Sequence, residues 1–166
     1  MKKSVSVVLL ISFAVLLYGC AQGSSPAVNR VTVSDFSQNA NISIGESSYD
    51  CLVEYIDGVV SVTAQSSSVN GLRFSYDGNE LAFDYNDMPF SFQNVSADIV
   101  NPAVELYNVI SVINSGGVTT ALTDDGIIAN GSTESGSFTA LLNKDSSLCS
   151  VELKQTNIYI YFKALS

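Results

Sequence analysis

The chain has 166 residues, with seven Lys and Arg against sixteen Asp and Glu, and neither His nor Trp. So acidic a balance repels nucleic acid and anionic headgroups, so no phosphate-binding role is indicated. Without His, the usual general base at neutral pH and the commonest zinc ligand are both missing.

Met1 to Cys20 read MKKSVSVVLLISFAVLLYGC. Lys2 and Lys3 give a positive n-region, and Val5 to Leu17 an apolar h-region too short to span a bilayer with margin. Leu17-Tyr18-Gly19-Cys20 resembles the lipobox of bacterial lipoproteins, with Tyr18 standing where a small residue is usual. That resemblance implies a signal peptide over 1–19, cleavage after Gly19, and a diacylglyceryl group on the Cys20 thiol. Loss of Lys2 and Lys3 leaves five basic residues against sixteen acidic ones, a formal charge of −11. Acyl chains must then hold the protein at the membrane against its own charge. Residues 20–30 hold the lipidated cysteine and a small, polar stretch (AQGSSPAVNR) that reads as a flexible tether. Residues 31–166 are long enough for one domain with a genuine core. The expected location is extracytoplasmic, lipid-anchored to the cell membrane.

Beyond the tether, apolar and polar residues alternate with a period of two, the mark of strands with one dry and one wet face. After an early stretch at Ala40–Ile44, the inner phases are Tyr49, Cys51, Val53 and Tyr55, then Val60, Val62 and Ala64. Next come Leu72, Phe74 and Tyr76; Leu81, Phe83 and Tyr85; and Met88, Phe90 and Phe92. Asp57-Gly58, Asp77-Gly78 and Asn86-Asp87 separate these runs. Asp-Gly pairs tolerate the positive φ of tight hairpin turns, so consecutive strands are predicted to be antiparallel neighbours.

One segment breaks the alternation. Asn101 is a good N-cap, Pro102 suits the first helical position, and Gly116 or Gly117 can close the end. Leu106, Ile110 and Ile113 share one face of the predicted helix. Strands resume at Val118–Leu122, Gly126–Ala129, Ser137–Leu142, Leu148–Lys154 and Asn157–Lys163, with turns expected at Asp125-Gly126 and Asn130-Gly131. The total is roughly ten or eleven strands and one helix.

A long antiparallel sheet with one apolar face must curl and cover that face. One helix, about 10 Å wide, covers only a few strands, so the sheet is expected to wrap it as a partial barrel. The expected lining is Leu72, Phe74, Tyr76, Leu81, Phe83, Tyr85, Met88, Phe90 and Phe92, with Leu106 and Ile110 from the helix. Apolar concavities of this kind are frequent ligand sites. Cys51 and Cys149 both read as inner-phase residues. They are candidates for a disulfide, which export permits, or for free core thiols.

The layout resembles the LolA/LolB-like superfamily of lipoprotein carriers, and more closely small Gram-positive-type lipoproteins with that half-barrel. The stretches that carry the resemblance are Val69-Asn70-Gly71-Leu72-Arg73-Phe74-Ser75-Tyr76-Asp77-Gly78, Leu81-Ala82-Phe83-Asp84-Tyr85, the Asn-Pro helix, and Gly136 to Asp145. It implies a LolA-like fold that binds acyl chains in the concave face under the helix. The Arg and Trp features of the proteobacterial carriers are missing, so the implication is binding of a lipid or other hydrophobic molecule rather than lipoprotein transport.

No Gly-rich phosphate loop, GxSxG elbow or CxxC pair appears. Asp84, Asp87, Asp124 and Asp125 lack the alternating spacing of a calcium loop and read as turn residues. No acid, base and nucleophile set can be named, so no catalysis, metal or cofactor is expected. The alternative to a lipid-binding protein is a closed structural or protein-interaction module of the cell envelope.

Overall fold

The computed structural model describes residues 30–66, 69–85, 88–93 and 100–163. The signal segment, Cys20, most of the tether and the Asn86-Asp87 turn lie outside the described residues. Eleven strands follow in order: β1 (Phe36–Ile44), β2 (Ser47–Ile56), β3 (Val59–Ala64), β4 (Arg73–Tyr76), β5 (Glu80–Tyr85) and β6 (Met88–Gln93). After the helix α1 (Pro102–Ser115) come β7 (Thr119–Thr123), β8 (Gly126–Thr133), β9 (Gly136–Leu142), β10 (Leu148–Leu153) and β11 (Ile158–Phe162).

All eleven strands join one antiparallel sheet in the order β6-β5-β4-β3-β2-β1-β11-β10-β9-β8-β7. Two meanders are thus fused where β1 pairs with β11, Ala40 opposite Phe162 and Ile44 opposite Ile158. The helix packs against β3 and β4 on one side and β8 on the other. From β4 to β8 is seven strand steps, about 34 Å at about 4.8 Å per strand, whereas a helix with its side chains is about 10–12 Å across. Both flanks can touch the same helix only because the sheet curls around it. Its edges, β6 and β7, are not paired to each other. The fold is therefore mainly β with one helix, an open curled sheet.

Local chemistry explains most of the elements. Asp57 and Gly58 both take positive φ (52° and 78°), the mirror-image turn that suits strand twist. At the helix start, Asn101 is extended and its side chain accepts a hydrogen bond from Ala103 N–H at 2.9 Å. At its end Gly116 is left-handed, and the Gly116 and Gly117 N–H groups donate to Ile113 and Val112 carbonyls. Leu106, Val109, Ile110 and Ile113 are buried against Ala40, Ile42, Val53, Val60, Ala140, Val151 and Ile160 in one core.

Two expected turns fall elsewhere. Asn130 and Gly131 lie inside β8, opposite Thr139 and Phe138. The glycine is there because the Phe138 ring lies over its α-carbon, and a β-carbon would stand 2.7 Å from that ring. The neighbouring turn is Asp124 and Asp125, with Gly126 already the first residue of β8.

The lead into β1 is part of the core. Val31 and Val33 are buried. Asn114 clips them to the end of α1, accepting from Val33 N–H at 2.7 Å and donating to Val33 O at 3.2 Å. Arg30 donates to the Asn114 carbonyl at 3.0 Å, a cation at the negative end of the helix dipole.

Candidate apolar binding face

Strand register sorts the expected lining into rows, because directly paired residues share a face. One row runs Tyr55, Val60, Tyr76, Leu81, Phe92 across β2 to β6; the next runs Val53, Val62, Phe74, Phe83, Phe90. Tyr85 faces Met88 beyond them. Along each row the environment changes from dry to wet. The β2 and β3 members under the helix are mostly buried, as are Tyr76 and Leu81, while Leu72, Phe74, Phe83 and Tyr85 are half-buried. Met88, Phe90 and Phe92 are 54%, 56% and 59% exposed. Leu106 and Ile110 are sealed beneath the helix and reach no open surface.

The rings of Phe74, Phe83 and Phe90 form a continuous ladder, with centroids 5.3 Å and 6.1 Å apart in tilted geometry. Beside it opens a cavity of about 480 Å³, lined by Phe74 and Leu72 together with Tyr49, Cys51, Val62 and Pro102. Its size falls within the range of small-molecule pockets. Tyr49, Cys51 and Val62 belong to inner phases already legible in the sequence; the part of Pro102 was not, since it depends on where the helix lands.

The strip is a face and not a strand-addition edge. Pro89 lies in β6 opposite Asp84. Having no N–H, a proline in a paired strand turns its nitrogen outward, which removes a donor from the edge.

Cys51 and Cys149 are free. Cys51 pairs with Ala40 and Ala40 with Phe162, so Cys149 on β10 stands three strands away, about 14 Å along the sheet. A disulfide needs α-carbons within about 7 Å. Cys149 is also less interior than its phase implies. It is the extra residue of a bulge between Leu148 and Ser150, half-buried rather than in the core. Burial, with the nearby charge of Asp50, pushes the Cys51 thiol up to about 11 from its usual 9.0. Two expectations follow. Denatured, unreduced Cys20→Ala chain shows two titratable thiols, and fewer would establish a bridge. In the folded chain, Cys51 alkylates at pH 8 at least about 100-fold more slowly than an ordinary thiol, since two pH units separate the thiolate fractions.

Glu105, in the first turn of α1, is 1% exposed. Its Oε2 has no hydrogen-bond partner. Burial raises its pKa above the usual 4.5, opposed in part by the nearby Ser135 side chain. A group whose folded pKa is raised stabilises fully below its unfolded value and loses that contribution as pH rises through the folded one. Glu105→Gln is therefore expected to raise the melting temperature at pH 7–8, by a few degrees for about 1 kcal/mol. It should also flatten the stability decline above pH 4.5. Calorimetry across pH checks both, and a lower melting temperature at pH 7 overturns the expectation.

Among the described residues no three acidic or Cys side chains converge on a point that could hold a metal ion. No protein-family model matches the chain, and no curated protein matches it. Among solved structures it is similar to the crystal structure of LolA superfamily protein NE2245 from Nitrosomonas europaea. Identity is 10% and the TM-score 0.41, over 83% of this chain and 86% of that one. The architecture stands on the strand order and helix packing above.

Proposed function

We propose that this chain is a non-enzymatic, membrane-tethered extracytoplasmic lipoprotein that shelters a hydrophobic molecule, a lipid or acyl group, on the concave face of its sheet. The observation that carries the reading is the unfinished burial of that face. The helix packs against β3 and β4 and the rows are dry as far as Tyr76 and Leu81, yet they continue to Phe90 and Phe92, which are more than half exposed. A water-soluble fold rarely leaves a contiguous aromatic strip uncovered unless something binds it. The adjoining cavity gives an acyl chain a place to end. On this reading Leu72, Phe74, Phe83, Tyr85, Met88, Phe90 and Phe92 are contact residues, whereas Leu106 and Ile110 support them from behind. Cys20, processed as its lipobox-like context implies, holds the domain beside the bilayer from which such a ligand would come.

Native mass spectrometry of the purified chain with lipid extraction, alongside a fluorescent fatty-acid titration, tests the proposal. A copurifying lipid or saturable binding is the expected result. Neither lipid nor saturable binding would leave the closed envelope module as the better reading.

A further inference from the structure

We propose that the groove between α1 and the β8–β9 turn is a second, polar binding site for a neutral polyhydroxyl group, a pyranose in particular. It is separate from the apolar cavity and shares no lining residue with it. The groove encloses about 570 Å³. Asn108 and Ser111 project from one helix wall, and Ser132, Thr133, Glu134 and Ser135 form the opposite wall. Hydroxyl and amide groups both donate and accept, which matches a ligand whose own groups do the same. Val104, Val112 and the Tyr76 ring add an apolar patch, the complement of the C–H face of a sugar ring.

Charge narrows the class. No Lys or Arg lines the groove, while Glu134 and Asp77 lie close enough to Tyr76 to act on its hydroxyl. Anionic headgroups are therefore disfavoured. A second feature points into the same place. Glu105 precedes Asn108 and Val112 by three and seven residues, so it stands on the same side of the helix, behind the groove wall. Its carboxyl group is buried and leaves one oxygen without a partner. A buried orphan acceptor is costly, and core packing gains nothing from it.

The test uses the full-length chain in a sugar-free zwitterionic detergent, titrated with methyl glucopyranoside, N-acetylglucosamine and inorganic phosphate by calorimetry and saturation-transfer NMR. The expected result is saturable glycoside binding at millimolar concentration or tighter, with no response to phosphate. Ser135→Ala and Asn108→Ala should each weaken it at least fivefold. Ser111 is exposed, so Ser111→Leu blocks the groove without disturbing the core and should abolish binding. Phe83→Asp, which addresses the apolar face alone, should leave glycoside binding unchanged. No saturable glycoside signal up to about 50 mM, a phosphate response, or full binding by folded Ser111→Leu overturns the proposal. Each of these is independent of whether a fatty acid binds.

Discussion

Phe83→Asp weakens fatty-acid binding by at least about 100-fold and leaves the fold intact. Phe83 is the middle rung of the ladder, between Phe74 and Phe90. A carboxylate there has no cation to pair with, since its register neighbours in the row are Phe74 and Phe90. An apolar ligand covering that row strips water from the charge. Several kcal/mol of desolvation opposes binding, and about 2.7 kcal/mol already corresponds to 100-fold. Without ligand the cost is small, because Phe83 is only half-buried on β5, one strand from the open edge. The chemistry and not the mutation site should decide the outcome, so Phe83→Leu is expected to retain most of the affinity. Circular dichroism melts separate lost binding from lost structure. Equal affinity of Phe83→Asp and wild type, with both folded, would move the ligand away from this face.

How much of this was legible in the sequence depended on how local the cause was. β2 to β5 were readable because each has one dry face, so the alternation in Cys51, Val53 and Val60, Val62 follows directly from burial. The helix was readable from its caps, Asn101 and Gly116, which are fixed by short-range hydrogen bonds. Features that depend on a distant partner were not. β1 begins at Phe36 rather than Ala40, and its inward phase includes Gln38, a polar residue whose type hides the pattern. Asn130-Gly131 has the composition of a turn, yet the glycine answers to Phe138 on the next strand. The bulge that displaces Cys149 leaves no mark in its own strand. Within the candidate face, periodicity named the lining but not its division. Leu106 and Phe92 look alike as apolar residues; only the helix position makes one sealed and the other open. Glu105 was hidden for the same reason, being a charged residue on a helix that happens to meet the β8–β9 turn.

Cys20→Ala should release the protein from the membrane completely and abolish palmitate labelling. The motive is Leu17-Tyr18-Gly19-Cys20 together with the charge of the chain behind it. A mature charge of −11 offers no electrostatic hold on an anionic surface, so without acyl chains no charge attraction retains the domain. One acyl chain gives marginal, reversible binding, and two or more give stable anchoring, so the change is close to all-or-none. The fold also sets where the anchor acts. Arg30 is held at the C-terminal end of α1 through the Asn114 carbonyl, whereas the apolar cavity reaches Pro102 at the other end of the 14-residue helix. These ends are about 20 Å apart at about 1.5 Å per residue. Metabolic labelling with palmitate, followed by membrane and soluble fractionation, should place wild type wholly in the labelled membrane fraction and Cys20→Ala in the unlabelled soluble one. Equal labelling of the two would sink the anchor. Retention on the membrane of unlabelled Cys20→Ala from which the signal segment has been removed would instead assign the hold to the exposed Met88, Phe90 and Phe92 strip, which Phe90→Ser in that background should then release.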